Sequence, residues 1–265
     1  MHRAGQFLAA HRNTLISLLT AAGFIVVWEL VVRWLQPDPL FMVPPTAILE
    51  ALLELIKHDV LQKQLLISAQ LFFAAFLVAL VAGIVVGMVN GWYATLYASM
   101  DLLMTALYVT PLIILLPLFI IWFGLGAPSQ FAIVFVAAFF PVVFNTAAGV
   151  RAVDPQLIRV GRAFGATDFS IFRDIALPSS VPYILASLRI SLGRALTGLI
   201  FAEWFAGRGG IGYLVANFGQ TFQTANLFAM IMLVVGVSLV LVEIIKYAEN
   251  KYASWIGVAD VRVTE

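Results

Sequence analysis

Arg189, Arg194 and Glu203 stand together in one apolar stretch, LRISLGRALTGLIFAEW (188–204), and they are the residues whose types could do chemistry. A guanidinium binds oxyanions bidentately through its fork of N–H donors, and an acid placed in lipid marks an ion or proton pathway or an interhelical pair. On a helix Arg189 and Glu203 are separated by close to four turns, so they share a face at different depths, and Arg194 lies about 140° round from Arg189. A charge near mid-bilayer costs at least ~2.5–3.5 kcal/mol. Three on one span must therefore face protein or water. Two roles stay open for them: lining or gating a substrate pathway, or pairing between helices.

Other chemistry is thin. Glu29 and Arg33 are spaced i,i+4 in the favourable order and read as a self-neutralising pair at the end of the first apolar run. His2, His11 and His58 are scattered and form no metal constellation. GRGGIG at 207–212 matches GxGxxG formally, but it follows an apolar run instead of a strand and reads as a flexible glycine turn. No GxxxxGK[ST] occurs, so the chain has no nucleotide loop of its own. There is no catalytic set, no metal set and no cofactor site, and the expectation is a protein that is not an enzyme.

These residues must be positioned by membrane helices. The 265-residue chain is 62% hydrophobic and 11% charged, with a mean hydropathy of +1.01, against about 25% charged residues in soluble domains. The net charge of +1 argues against nucleic acid as a partner, and the absence of cysteine excludes disulfides and thiolate metal sites. Six apolar runs are long enough to span a bilayer: Thr14–Leu35, Leu65–Val89, Leu102–Phe123, Phe131–Val150, Val181–Phe205 and Leu227–Tyr247. The first is too long for a signal-peptide core and reads as a retained helix. The fold class is all-α, a polytopic membrane protein of six transmembrane helices, with residues 1–265 forming a single transmembrane domain. Ala75, Ala79, Gly83, Gly87 and Gly91 recur at every fourth position of the second run and mark a close packing face. Pro111, Pro117 and Pro141, with Asn145, predict bent helices or plain packing in the third and fourth runs.

Lysine and arginine placement puts both termini on the cytoplasmic side. Arg3, Arg12, Arg151, Arg159, Arg162, Arg173, Lys246, Lys251 and Arg262 then lie inside, against Lys57, Lys63 and Arg208 outside. Outer segments cover 36–64 and 206–226. In the former, Ile48, Leu52, Leu55 and Ile56 oppose Glu50, Glu54 and Lys57, the pattern of a surface helix.

The cytoplasmic loop 151–178 carries GRAFGATDFSIFRDIALP. Asp154-Pro155 starts a short amphipathic helix, Gly165 ends it, and Thr167 or Asp168 caps a second, FSIFRDIAL, closed by Pro178 and Pro182. Phe169, Phe172 and Ile175 (or Ala176) form an exposed stripe, which fits either a protein contact or a helix lying on headgroups.

That loop resembles the signature loop of ABC importer permeases: Gly161-Arg162-Ala163, or the triplet shifted by one, stands where Glu-Ala-Ala is usual, followed by Gly165 and then Ile175, Leu177 and Pro178. FMVPPTAILEAL, TPLIILLPLFIIWFGLG, VDPQLIRVGRAFGA, LPSSVPYILASLRISLG and FAEWFAGRGGIGYL are similar, in that order, to the branch serving nitrate, sulfonate, taurine and thiamine-precursor uptake. The resemblance implies a homodimeric permease of a bacterial inner membrane, working with two cytoplasmic ATPase subunits that hold ATP and Mg, and with a soluble or lipid-anchored binding protein. It implies that Ala163, Gly165, Ala166, Thr167, Asp168 and Phe169 lie at or beside the ATPase contact and that Leu177-Pro178 joins it to the fifth span. A secondary transporter or channel without an ATPase is the rival.

Overall fold

A computed structural model describes residues 2–253, with side chains described for 15–17, 19–247 and 249. The side chains of His2, Arg3, His11, Arg12, Lys251 and Arg262 lie outside the described residues. Helices follow one another without strands among the described residues: α1 (His2–Leu35), α2 (Pro45–Lys57), α3 (Val60–Trp92), α4 (Ala94–Val109), α5 (Leu112–Phe123), α6 (Ala127–Arg151), α7 (Pro155–Ala163), α8 (Asp168–Ile171), α9 (Leu177–Ala206), α10 (Ile211–Gln220) and α11 (Thr224–Ala253).

Among the described residues five helices are long and apolar enough to cross a membrane, and the third expected run is the exception: α4 and α5 are bent by 96° at their junction. The cause is local. Pro111 cannot donate to the helix ladder, and a residue before proline is pushed out of the helical region. Thr110 accordingly takes ψ 124. Counted as one span, the bent pair restores six. Pro141 does not break α6, which runs unbroken to Arg151; Asn145 donates through Nδ2 to the Pro141 carbonyl at 2.8 Å.

The chain divides into two compact units, 1–62 with 215–233, and 63–214 with 234–265. In the first, Glu29 and Arg33 do pair, at 2.5 Å. The Glu29 carboxylate also accepts from the Thr46 backbone N–H at 3.1 Å and from its hydroxyl at 2.9 Å. It thereby serves the uncapped start of α2, whose preceding residue is Pro44. Along α2, Ile48 and Ala51 are buried while Glu50, Glu54 and Lys57 are exposed, as the pattern predicts; Ile56 is exposed.

In the second unit α6 packs against α9, α5 packs against both, and α3 lies on α6. Phe72, Ala75, Ala79, Val134, Ala138, Leu192, Ala195 and Leu199 form the core between α3, α6 and α9. The small-residue stripe is the reason α3 and α6 can come together. A methyl group added to Gly83 would sit 2.8 Å from Val142 Cβ, at Gly87 2.7 Å from Thr146 Cβ, and at Gly91 2.8 Å from the Ala147 carbonyl. Gly87→Ala is therefore expected to destabilise the detergent-solubilised protein by about 1–3 kcal/mol, the usual penalty of overpacking. Gly23→Ala, whose added methyl meets nothing within 4 Å inside α1, should not lower the melting temperature, since alanine is the better helix former.

Candidate functional site

Two places collect the unusual residues of the second unit, one at each end of the helix that begins at Asp168 and ends at Ala206. At its start, Asp154 accepts from Gln156 N–H at 2.8 Å and Pro155 opens α7, the cap that the sequence predicts. The end of α7 is a Schellman stop: Gly165 N–H donates to the Arg162 carbonyl and Ala166 N–H to the Gly161 carbonyl, both at 3.0 Å. Gly165 has φ +79, a left-handed conformation that glycine takes without steric cost. Thr167 then caps α8, accepting from Ser170 N–H at 3.2 Å, and Arg162 pairs with Asp168 across the junction at 3.2 Å.

The second short helix does not close at Pro178 and Pro182. Helix continues from Asp168 to Ala206, 39 residues, by widening into a π turn over Phe172–Ala176. Leu177 N–H reaches back five residues to the Phe172 carbonyl. A wider turn makes room for the Pro178 ring, which would otherwise strike the carbonyl four residues earlier. The expected apolar stripe also divides. Phe164 and Phe169 project, 88% and 70% exposed, whereas Phe172, Ile175 and Ala176 turn inward onto Trp92, Val150 and Val153. Phe172 meets Trp92 edge to face at 5.2 Å. Leu157 and Val160 extend the exposed apolar face along α7, and Ala163 is exposed at its end.

At the other end, Glu203 is 0% exposed. Ser68 donates its hydroxyl to one carboxylate oxygen at 2.6 Å. Gly212 N–H donates to the other at 2.7 Å. Ile211 N–H reaches Ser68 Oγ at 2.8 Å, and Gly210 N–H reaches Gln64 Oε1 at 2.6 Å. Three successive backbone donors at the start of α10 are thus satisfied by side chains from α3 and α9, and the carboxylate sits at the positive end of the α10 dipole. GRGGIG is consequently a packed turn, not a flexible one. Gly210 has φ +102, and a methyl group there would lie 2.3 Å from the Glu203 carboxyl; at Gly212 it would lie 2.4 Å from the Ile200 carbonyl.

Between these ends the three charges of α9 do not converge. Arg189 pairs with Glu249 of α11. Arg194 lies over the Tyr108 ring, 4.3 Å from its centroid, and Glu203 keeps to the α10 turn. Sequence reasoning missed Gln64, Ser68 and Tyr108. Ser68 and Gln64 are polar residues around the start of the second apolar run, which was the available signal; Tyr108 carried none beyond its place before Thr110-Pro111.

Residues 79–252 match the family model described as binding-protein-dependent transport system inner membrane component. The taurine transport system permease protein of Escherichia coli is 30% identical over 251 residues, covering 93% of this chain and 91% of that one. A candidate aliphatic sulfonates transport permease protein of Bacillus subtilis is 30% identical over 238 residues, 90% of this chain and 86% of its own. A solved chain of the methionine ABC transporter in an inward-facing conformation shares the fold, with TM-score 0.59 and 21% identity over 74% of this chain and 97% of that one.

The Glu203 cluster sets a test of its own. Glu203→Ala removes the acceptor that serves Ser68 and Gly212, leaving two buried donors short, and should cost several kcal/mol at about 1–3 kcal/mol per unsatisfied group. Glu203→Gln keeps the volume and one acceptor and should cost less. Thermal unfolding of the purified variants checks the order; equal melting temperatures for all three proteins would contradict it.

Proposed function

This chain belongs to the family of binding-protein-dependent transport system inner membrane components and is the permease subunit of an ABC importer, and from that premise we propose that residues 161–178 are the element by which a separate ATPase drives it. The family is one of transporters, not enzymes, and resides in the inner membrane. In this reading two cytoplasmic ATPase subunits hold ATP and Mg, and residues 1–265 act as one permease domain. Two copies of the chain form the pathway, and a soluble or lipid-anchored binding protein delivers solute to the outer face. Both termini lie in the cytoplasm, the side that carries the lysine and arginine excess.

The observation that carries the proposal is mechanical continuity. An exposed apolar knob, Phe164 and Phe169, is fixed to the first turn of a helix that runs without interruption to Glu203. At 1.5 Å per residue its 39 residues reach about 58 Å, more than a bilayer's thickness. Ala163, Gly165, Ala166, Thr167, Asp168 and Phe169 form the gripping surface, the Schellman stop and the Arg162–Asp168 pair hold its shape, and Leu177-Pro178 lies just beyond the π turn. Apolar side chains left exposed on a polar segment favour a protein partner. A push on this knob moves α9 as a body, in the manner of two-state transitions between packed elements.

The solute is a small anion of the sulfonate, carboxylate or nitrate class or a heterocyclic vitamin precursor, with sulfonates favoured by the names that the most similar relatives carry. The binding protein sets most of the selectivity.

Affinity purification of the tagged chain, expressed with the genes of its own cell, should retain a subunit with a GxxxxGK[ST] loop in near-equal amount. Gly165→Val strains the left-handed position and Phe169→Ala removes the knob; each should lower retention several-fold without loss of membrane insertion. Solute uptake by the purified chain alone at the full rate would favour a secondary transporter or channel.

A further inference from the structure

The bend between α4 and α5 opens a cavity of about 470 Å³ lined by Tyr108, Thr110, Leu112, Phe140, Arg194 and Thr197 among others. Arg194 lies 12 residues before the end of α9, about 18 Å along the helix axis, deep in the span. Its charge is handled differently from that of Arg189 on the same helix, which pairs with Glu249; Arg151, at the end of α6, lies over a ring as Arg194 does, that of Tyr97. Arg194 has no carboxylate partner among the described residues; its contact is the face of Tyr108, itself packed on Phe144. A ring face offsets part of a cation's charge but fills none of the five N–H donors of a guanidinium.

The rest of the wall narrows what could fill them. Thr110 donates its hydroxyl to the Ala106 carbonyl and Thr197 to the Gly193 carbonyl, so neither offers a free proton. Leu112 begins α5 with Pro111 as its N-cap and no side-chain cap, so the positive end of that helix faces the same cavity. Val136, Ala137, Phe140 and Leu112 supply an apolar side. No acid lines the space. One positive group, a second partial positive charge and an apolar wall describe a receptor for a small molecule with one oxyanion head and a short apolar body, and the volume falls in the usual range for small-ligand sites.

We propose that this cavity is an intramembrane site for such an oxyanion, with Arg194 gripping the head and Tyr108 holding the guanidinium in place. The proposal rests on the importer reading above and on its anion class, and adds a place within the membrane and the residues that grip the head. Arg194 binds the head, and Tyr108 is a positioning residue. A lipid phosphate offers the same chemistry as a soluble sulfonate, so the test must separate them.

Saturation-transfer NMR with methanesulfonate as the probe, on the transporter complex in phosphatidylcholine nanodiscs, makes the measurement. The wild type should transfer saturation to the probe's methyl group, and methanesulfonamide, its neutral analogue, should receive little. Arg194→Gln should lower the signal at least fivefold, Arg194→Lys should lower it less, Tyr108→Leu should lower it at least twofold, and Tyr108→Phe should preserve it. Lys57→Gln, an exposed charge on α2, should change nothing. Full signal in Arg194→Gln, equal signal from the amide, or no signal in the wild type overturns the site. So does loss of the signal when phosphatidylglycerol is added to the nanodiscs, which would identify the occupant as a lipid headgroup. Retention of the ATPase, measured on the same samples, separates the two readings: full probe signal in Arg194→Gln with the ATPase still bound rejects the site alone, and absence of the ATPase from the wild type rejects the importer reading whatever the probe shows.

Discussion

Backbone donors buried at membrane depth must find acceptors, and at the start of α10 that constraint is met by three side chains, Gln64, Ser68 and Glu203. Glu203 closes the far end of α9 by bridging Ser68 of α3 to the first turn of α10. The bridge explains several features of the sequence together. Gly210 and Gly212 leave room for the acid, Ser68 interrupts an apolar run to reach it, and Gln64 completes the cap one turn earlier. A carboxyl group enclosed without hydrogen-bond partners would be strongly disfavoured; here the Ser68 hydroxyl and the Gly212 N–H supply one donor to each oxygen. Glu29 solves the same problem in the other unit, serving the start of α2 through Thr46 while Arg33 balances its charge.

With its far end fixed in this way, α9 can act as a transmitting element instead of a loose span. Its near end is also built for stiffness. The glycine junction is locked by two backbone bonds and an ion pair, and the π turn keeps Pro178 inside the helix. Phe172, Ile175 and Ala176, turned inward on Trp92 and Val153, seat that turn on the body of the unit. Phe164 and Phe169, with Leu157 and Val160 on α7, are left outside for a partner. The three charges of α9 then serve different ends. Arg189 is held by Glu249 and Glu203 by the α10 turn, while Arg194 faces a cavity.

Much of this was legible in the residues. Hydropathy located the membrane runs, and capping chemistry placed the start of α7 at Asp154-Pro155 and its stop at Gly165, because both signals are local. The every-fourth-residue small residues marked a close packing face on α3 for the same reason, without naming α6 as its partner. Three things were not legible. The third run bends by 96° although its composition is that of a straight span, since hydropathy is blind to what Pro111 does to Thr110. The helix passes through Pro178 because the preceding turn widens, which no local pattern announces, and it continues through Pro182 as well. The packed state of GRGGIG depends on Gln64 and Ser68, some 140 residues away in sequence, a separation that no local pattern reports.

The chain contains no cysteine, so spin labels can be placed at will, and one pair tests transmission along α9 directly. With labels at Leu157 and Trp204, both exposed, the distance between them should stay the same within about 2 Å when ATP is added to the assembled transporter, while distances from Trp204 to the partner copy change. A change of about 5 Å or more between Leu157 and Trp204, the rise of one helical turn, would show that the segment yields at Gly165 or at the π turn, and would contradict a rigid lever.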